Sequence, residues 1–108
     1  MHLFGKKETV LLDTSLSIGE FDLSADGFYR NVKTFPLNVR KGTLSVSVDS
    51  SHPVDVALSD SGGTCMGFKD SVVNGTISVE TSKKETVALI IGVFRGDTAD
   101  LRIKARMG

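Results

Sequence analysis

The chain has 108 residues, enough for one domain whose core needs no disulfide or metal to hold it. Thirteen basic and thirteen acidic side chains give a net charge of zero, which leaves no long-range field to attract nucleic acid or an anionic membrane. With one Tyr and no Trp, the chain has few aromatic platforms for stacking bases. Cys65 is the single cysteine, which excludes an internal disulfide.

The pattern in the first thirty residues is too weak to fix a strand register. Residues 1–7 are expected to be a loose leader, and residues 9–13 are a short opening or edge strand. Residues 15–20 are turn-like, and Gly19 is the residue there that we expect at positive φ. No apolar run reaches the length of a signal peptide or of a membrane helix.

The middle of the chain alternates between apolar and polar residues with the period of a strand. Residues 28–39 are extended, and Pro36 places them at a sheet edge or a bulge, because proline has no N–H for a ladder. Two strands follow, at residues 43–49 and 54–59, separated by a loop at 50–53. Their inward residues are expected to be Leu44, Val46, Val48, Val54, Val56 and Leu58.

A weak strand is predicted next, at residues 64–69, then a loop at 70–75 and a strand at 76–81 with Ile77 and Val79 inward. Turn signals recur every eight to twelve residues, and no segment has a convincing helical period. This spacing predicts an all-β domain over residues 1–108, an antiparallel, jelly-roll-like β-sandwich of eight or nine short strands.

The last two strands carry the strongest pattern. In residues 87–94 both faces are apolar, which predicts a central strand covered on both sides, or a strand that lies under a loop or a partner. The final strand, residues 99–106, alternates cleanly, so Arg102, Lys104 and Arg106 are expected on one exposed face.

From about Tyr29 onward the order of the segments resembles a known kind of domain. The order is LSVSV, PVDVALSDSGG, GTISVET, KETVALIIGVFRGD and TADLRIKA. It is similar to that of bacterial pre-peptidase C-terminal domains and, more loosely, of GOLD domains of the p24 type. Their Asp-x-x-Leu-x-Asp-x-x-Gly-like hairpin corresponds to residues 55–62, whereas Val87 and Leu89 stand where a tyrosine pair is usual. The resemblance implies a non-catalytic appendage that binds proteins, polymers or cargo.

Acidic residues around the central hairpin could bind calcium. Asp55 and Asp60, with Asp70 as a further oxygen donor, flank a glycine-containing loop, and calcium takes several carboxylate and carbonyl oxygens. Asp and Gly are also the ordinary residues of hairpin turns. The preferred interpretation is therefore a turn without an ion.

The basic row of Arg102, Lys104 and Arg106, with Arg95 near the preceding turn, could bind phosphates or an acidic partner. The preferred interpretation is a solvated edge whose charges prevent edge-to-edge pairing. Arg95 also begins an Arg-Gly-Asp tripeptide, which a Gly-Asp turn between two strands explains without adhesion.

The sequence offers little catalytic chemistry. A pair of Cys65 and His52 is conceivable because a thiolate needs an adjacent base, but a cysteine in a strand is more often buried and inert. The sequence contains no phosphate loop, nucleophile elbow or two-histidine metal spacing. We therefore expect no enzymatic activity and no cofactor.

The sequence thus predicts a binding or structural module that contacts a protein partner or a second copy of itself, through residues 87–94 or an exposed sheet edge. Nucleic acid is not an expected partner, and no membrane span is expected. One alternative is a carbohydrate- or calcium-binding module, in which Tyr29 and Phe35 would be the sugar platforms. A second alternative is a small enzyme that uses Cys65. The expected location is the cytoplasm, because a small secreted domain usually needs disulfides.

Overall fold

A computed structural model describes residues 8–19, 31–93 and 97–108 of the chain. Six antiparallel strands account for most of these residues, so the predicted all-β, antiparallel class is confirmed. The strands are β1 (Thr9–Ile18), β2 (Asn31–Val39), β3 (Gly42–Ser59), β4 (Cys65–Thr81), β5 (Glu85–Val93) and β6 (Ala99–Met107). Within the described ranges no helix has the length and apolar character that a membrane crossing requires.

The strands form one sheet in the order β1-β6-β3-β5-β2, and β4 pairs with β3 outside this path. The 18-residue β3 joins two halves of the sheet. Residues 44–50 of β3 pair with β6, and residues 55–59 pair with β5. The outer strands β1 and β2 contact each other, and Arg40 Nη1 donates to Thr9 Oγ1 at 3.3 Å. The sheet is therefore curled, and both predicted edge strands lie at the ends of its path.

Two pairs of predicted strands are each one long strand. Residues 43–49 and 54–59 both belong to β3, and residues 64–69 and 76–81 fall almost entirely within β4. The residues predicted as loops between them are extended. They are irregular only in the register shifts between β3 and β4 and in the φ of 51° at Ser71. The prediction of eight or nine short strands is therefore wrong for the described residues.

The start of the chain also differs from its prediction. β1 continues to Ile18 through the residues predicted as a turn, with Ser15 and Ser17 exposed and Ile18 buried. Gly19 does not have positive φ; instead, a Cβ at this position would overlap the side chain of Thr98. Glycine is required there by the close approach of two chain segments. The predicted leader, residues 1–7, lies outside the described residues.

A single apolar core lies on the inner side of the curled sheet. The inward residues predicted for β3 are all at most 2% exposed, and the alternate residues of β5 and β6 are buried with them. Complete burial of a leucine or isoleucine side chain stabilises a fold by about 1.5–3 kcal/mol relative to exposure. The one polar side chain buried among the described residues is Thr81, whose hydroxyl lies within hydrogen-bond distance of the Arg40 and Gly42 carbonyls.

Candidate interaction surface

The outer side of the sheet carries two surfaces of different chemistry, one on each half. The long strands β3 and β4 run through both halves and so contribute to both surfaces. The polar face consists of the outward side chains of β1, β6, the first half of β3 and the second half of β4. The apolar face consists of the outward side chains of β2, β5, the second half of β3 and the first half of β4. Each face can be built row by row from the strand register.

The central row of the apolar face crosses four neighbouring strands. Thr34 of β2 pairs with Ile90 of β5, Ile90 pairs with Ala57 of β3, and Ala57 pairs with Phe68 of β4. Directly paired residues project to the same side of a sheet, so the four side chains form one line. The flanking rows are Pro36, Ala88, Ser59 and Cys65 on one side and Val32, Gly92 and Asp55 on the other.

Exposure is highest at the two ends of the apolar face. Phe68 is 60% exposed and Val32 is 49% exposed, whereas Ala57, Ala88 and Ile90 between them are half-buried. The small residues leave a low floor beside the projecting phenylalanine ring. The doubly apolar pattern of β5 therefore arises from a buried inner side and a partly exposed outer side.

The polar face is linked from strand to strand by its own side chains. Across β3 and β4, the hydroxyl oxygens of Ser45 and Ser78 are 3.1 Å apart, and those of Ser47 and Thr76 are also 3.1 Å apart. Next to them, Thr43 Oγ1 donates to Glu80 Oε2 at 2.8 Å. Polar groups on this surface therefore have hydrogen-bond partners within the sheet itself.

The predicted basic row lies on the polar face and takes part in this pairing. Arg102 Nη2 lies 3.3 Å from Asp13 Oδ1, and Arg106 Nε lies 3.4 Å from Glu8 Oε2. Lys104 stands opposite Asp13 in the register. Because β6 runs between β1 and β3, these residues do not guard a sheet edge, and that part of the prediction is wrong. Arg95 lies outside the described residues, and binding of phosphates by this row stays a prediction.

A groove of about 520 Å³ lies on the polar face, where β3 passes from one half of the sheet to the other. Its carboxylates are already hydrogen-bonded. Asn74 Nδ2 donates to Asp49 Oδ1, and Ser17 Oγ donates to Asp100 Oδ1 at 2.5 Å. The Asp100 N–H in turn donates to Ser51 Oγ at 2.8 Å. These bonds give the polar residues of the groove a structural role.

The two residues predicted to bind calcium lie in different environments. Asp60 Oδ1 accepts the backbone N–H groups of Gly62 and Thr64, both at 2.9 Å, and so closes the turn between β3 and β4. Asp55 Oδ1 accepts the Ser71 N–H at 3.2 Å, and five residues of extended chain separate it from Asp60 by about 16 Å. Among the described residues no group of three or more His, Cys, Asp or Glu side chains is placed to hold a metal. The calcium site stays a prediction.

Glu85 anchors the same turn from the start of β5. Its Oε1 accepts the Ser61 hydroxyl at 2.8 Å and the Ser61 backbone N–H at 3.1 Å. These hydrogen bonds favour the ionised carboxylate and lower the pKa of Glu85 below its usual value, the hydroxyl bond having the larger effect.

The two residues of the conceivable catalytic pair are far apart. Cys65 pairs with Ser59 at one end of β3, and the seven-residue step from Ser59 to His52 corresponds to on the order of 20 Å of strand. His52 Nε2 instead lies 3.7 Å from Asp97 Oδ2, the acidic residue of the Arg-Gly-Asp tripeptide. Cys65 is exposed, so its predicted burial is wrong.

Of the two aromatic residues proposed as sugar platforms, the one that the structure describes is not on the apolar face. Phe35 lies on the inner side of β2, packed against the core, and Tyr29 lies outside the described residues. The exposed aromatic residue of the apolar face is Phe68, which the sequence reasoning did not select. The alternation of β2 could have placed Val32 and Pro36 on one outward side. No sequence signal marked Phe68 as outward, because β4 is irregular around it.

Comparison of the chain with models of known protein families finds no match, and comparison with curated protein sequences finds none either.

Proposed function

We propose that this chain is a non-catalytic module that binds another protein, and that the apolar face is its contact surface. The observation that carries the proposal is the row of Thr34, Ile90, Ala57 and Phe68, which crosses four strands and ends in a 60% exposed phenylalanine. Exposed apolar residues that are rimmed by polar ones often mark protein–protein contact sites in soluble proteins.

The composition of the apolar face favours an uncharged, apolar partner surface. Asp55 is the only charged residue in its three rows, and it accepts a hydrogen bond from the Ser71 backbone N–H. Ala57 and Ala88 offer a low floor on which an apolar side chain of the partner can rest beside Phe68. Aromatic residues are enriched at such contacts because they bury a large area at little entropic cost.

We also propose that the curled sheet is a β-sandwich. A Cβ on Gly67 would lie 3.2 Å from Val79 Cγ1 and 3.3 Å from Ile77 Cγ2, so the two halves of β4 face each other across the interior. This approach supports a β-sandwich of jelly-roll type. It also supports the proposed likeness to pre-peptidase C-terminal and GOLD domains, which act as binding appendages. The cytoplasmic location stays a prediction.

Site-directed photo-crosslinking in cells that make the protein tests the proposed contact surface. Benzoylphenylalanine in place of Phe68 is expected to form an adduct with a protein, and the same group in place of Ser15, on the polar face, is not. Adding Ile90→Lys to the Phe68-labelled chain should remove the adduct, because it puts a charge in the centre of the contact.

Two results would contradict this proposal. One is adduct formation of equal yield at positions 68 and 15, and the other is an adduct at position 68 that survives Ile90→Lys. Circular dichroism of each variant would establish that the fold is retained. An adduct between two copies of the chain would identify the partner as the chain itself.

A further inference from the structure

The second half of β4, residues 74–81, is a regular outer strand. It pairs residue for residue with positions 42–49 of β3 without a bulge. Within the part of the chain that the structure describes, β4 pairs with β3 alone. An outer strand presents alternate backbone N–H and C=O groups to its open side, where another strand can pair with them.

The other outer strands have features that hinder such pairing. β1 and β2 contact each other, and the first half of β4 has register shifts and the positive φ of Ser71. Bulges of this kind turn a strand away from an incoming partner. Residues 74–81 contain neither proline nor lysine, and Thr76, Ile77, Val79 and Thr81 are β-branched residues that favour strand pairing.

We propose that residues 74–81 pair with the same segment of a second copy of this chain, antiparallel about a two-fold axis through Ile77. The axis runs perpendicular to the sheet, so outward residues meet outward residues and inward residues meet inward ones. Thr76 then stands opposite Ser78 of the second copy, and Asn74 stands opposite Glu80. The two sheets become one continuous sheet.

The polar side of this pairing is chemically complementary. Glu80 is the only charged residue of the segment, and it meets the Asn74 amide of the second copy, so no like charges face each other. The two Thr76–Ser78 contacts repeat the hydroxyl pairs that already join β4 to β3 at 3.1 Å. The same ladder would continue across the interface.

The inner side of the segment gains cover. Ile77 and Val79 pack against the core but remain half-exposed at the open side of β4. In the proposed pairing Ile77 meets its own copy across the axis, and Val79 stands opposite Gly75 of the second copy. This surface is separate from the apolar face, so either proposal can fail while the other holds.

Two double variants with matched changes test the pairing in sedimentation velocity over a concentration series. Thr76→Lys with Ser78→Lys places lysine opposite lysine twice, whereas Thr76→Lys with Ser78→Glu places lysine opposite glutamate twice. Both variants lose the same hydroxyl pairs to β3. We expect the wild type to dimerise, and the Lys/Lys variant to dissociate about fivefold or more readily than the Lys/Glu variant. The difference should shrink as salt is added.

A wild type that stays monomeric at the highest concentration would overturn the proposal. Equal dimerisation of the two variants would overturn the axis through Ile77, because an axis through Ser78 opposes like charges in both. A disulfide check is independent of charge. In a Cys65→Ser background, Ile77→Cys is expected to form a linked dimer on mild oxidation and Ser78→Cys is not, since only position 77 meets itself.

Discussion

β3 and β4 contribute to both outer faces of the molecule, yet they are polar on one and largely apolar on the other. On the polar face their side chains pair across the strands, as Ser45 and Ser78 do at 3.1 Å. On the apolar face the corresponding positions are Ala57 and Phe68, which cannot form such bonds. There the hairpin is held by its terminal turn, through Asp60 and Glu85.

This difference separates what the fold requires from what it does not. The inward side chains of β3, β5 and β6 are apolar and buried in both halves, so the core does not depend on either outer face. An antiparallel sheet needs only one apolar face, and its other face can be polar throughout. The polar face demonstrates this within the same molecule, so the apolar outer face needs an explanation other than folding.

The largest difference in stability is expected between substitutions at two adjacent residues of β5, one in the core and one on the apolar face. Leu89 is fully buried, and Leu89→Ala is expected to lower the free energy of unfolding by about 2–5 kcal/mol because it leaves a cavity. Ile90 points to the apolar face, and Ile90→Ala is expected to cost about 1 kcal/mol or less. Urea denaturation measures both. Equal losses would show that the apolar face is part of the core.

Asp60→Ala should have an intermediate effect. It leaves the Gly62 and Thr64 N–H groups to water and is expected to cost about 1 kcal/mol, since each exposed turn bond contributes modestly. Ser47→Ala on the polar face is the control, and its loss of stability should be smaller because neighbouring rows keep the strands paired.

The melting temperature of the wild type should be the same in millimolar calcium as in chelator. If calcium raised the melting temperature of the wild type but not that of Asp60→Ala, the interpretation of a turn without an ion would be contradicted.

The ion pair of the polar face should contribute less. A double-mutant cycle of Arg102→Ala and Asp13→Ala is expected to give a coupling of about 0.2–1 kcal/mol that decreases with salt, because both side chains are exposed. The comparison cycle on the apolar face uses Thr34→Ala and Phe68→Ala, which lie three strands apart. Coupling in that second cycle would mean that the apolar face is linked internally after all.

The smallest effect is expected in acid, at the turn that ends the apolar half. Because the folded-state pKa of Glu85 is lowered, its stabilising contribution is complete above the unfolded value of about 4.3 and is lost as the pH falls through the lowered pKa. Glu85→Gln should reduce the loss of stability between pH 6 and pH 3. Ser61→Ala should do the same, since it removes the hydroxyl that lowers the pKa. Unchanged acid sensitivity in both variants would exclude this contribution.

The alternating residues of β3, β5 and β6 were sufficient to predict the class of the fold and most of its core. A period of two specifies which residues are buried, whichever strands are neighbours. It does not specify where a strand ends. The sequence predicted a loop at residues 50–53, but a strand can carry Ser and Pro residues through a bulge when neighbouring strands hold it extended.

The candidate surface was only partly predictable for a related reason. The two apolar sides of β5 were visible in the sequence, and they pointed to a contact through this strand. The rest of the apolar face comes from β2, β3 and β4, and only the register shows that Thr34, Ala57 and Phe68 lie in line with Ile90. Register depends on turns and bulges far from these residues. Likewise, Asp60 as a turn residue and Asp60 as a calcium ligand have the same local sequence.

The passage of β3 through both halves of the sheet also constrains how the protein opens. β6 pairs with the first half of β3, and β5 pairs with the second half. Detaching either half breaks hydrogen bonds to β3, and the other half is also paired with β3. Opening that exposes the inner amides of β5 should therefore expose those of β6 as well, so the two strands would exchange hydrogen at a common, global rate. A molecule with two unlike outer surfaces would thus unfold as one cooperative unit.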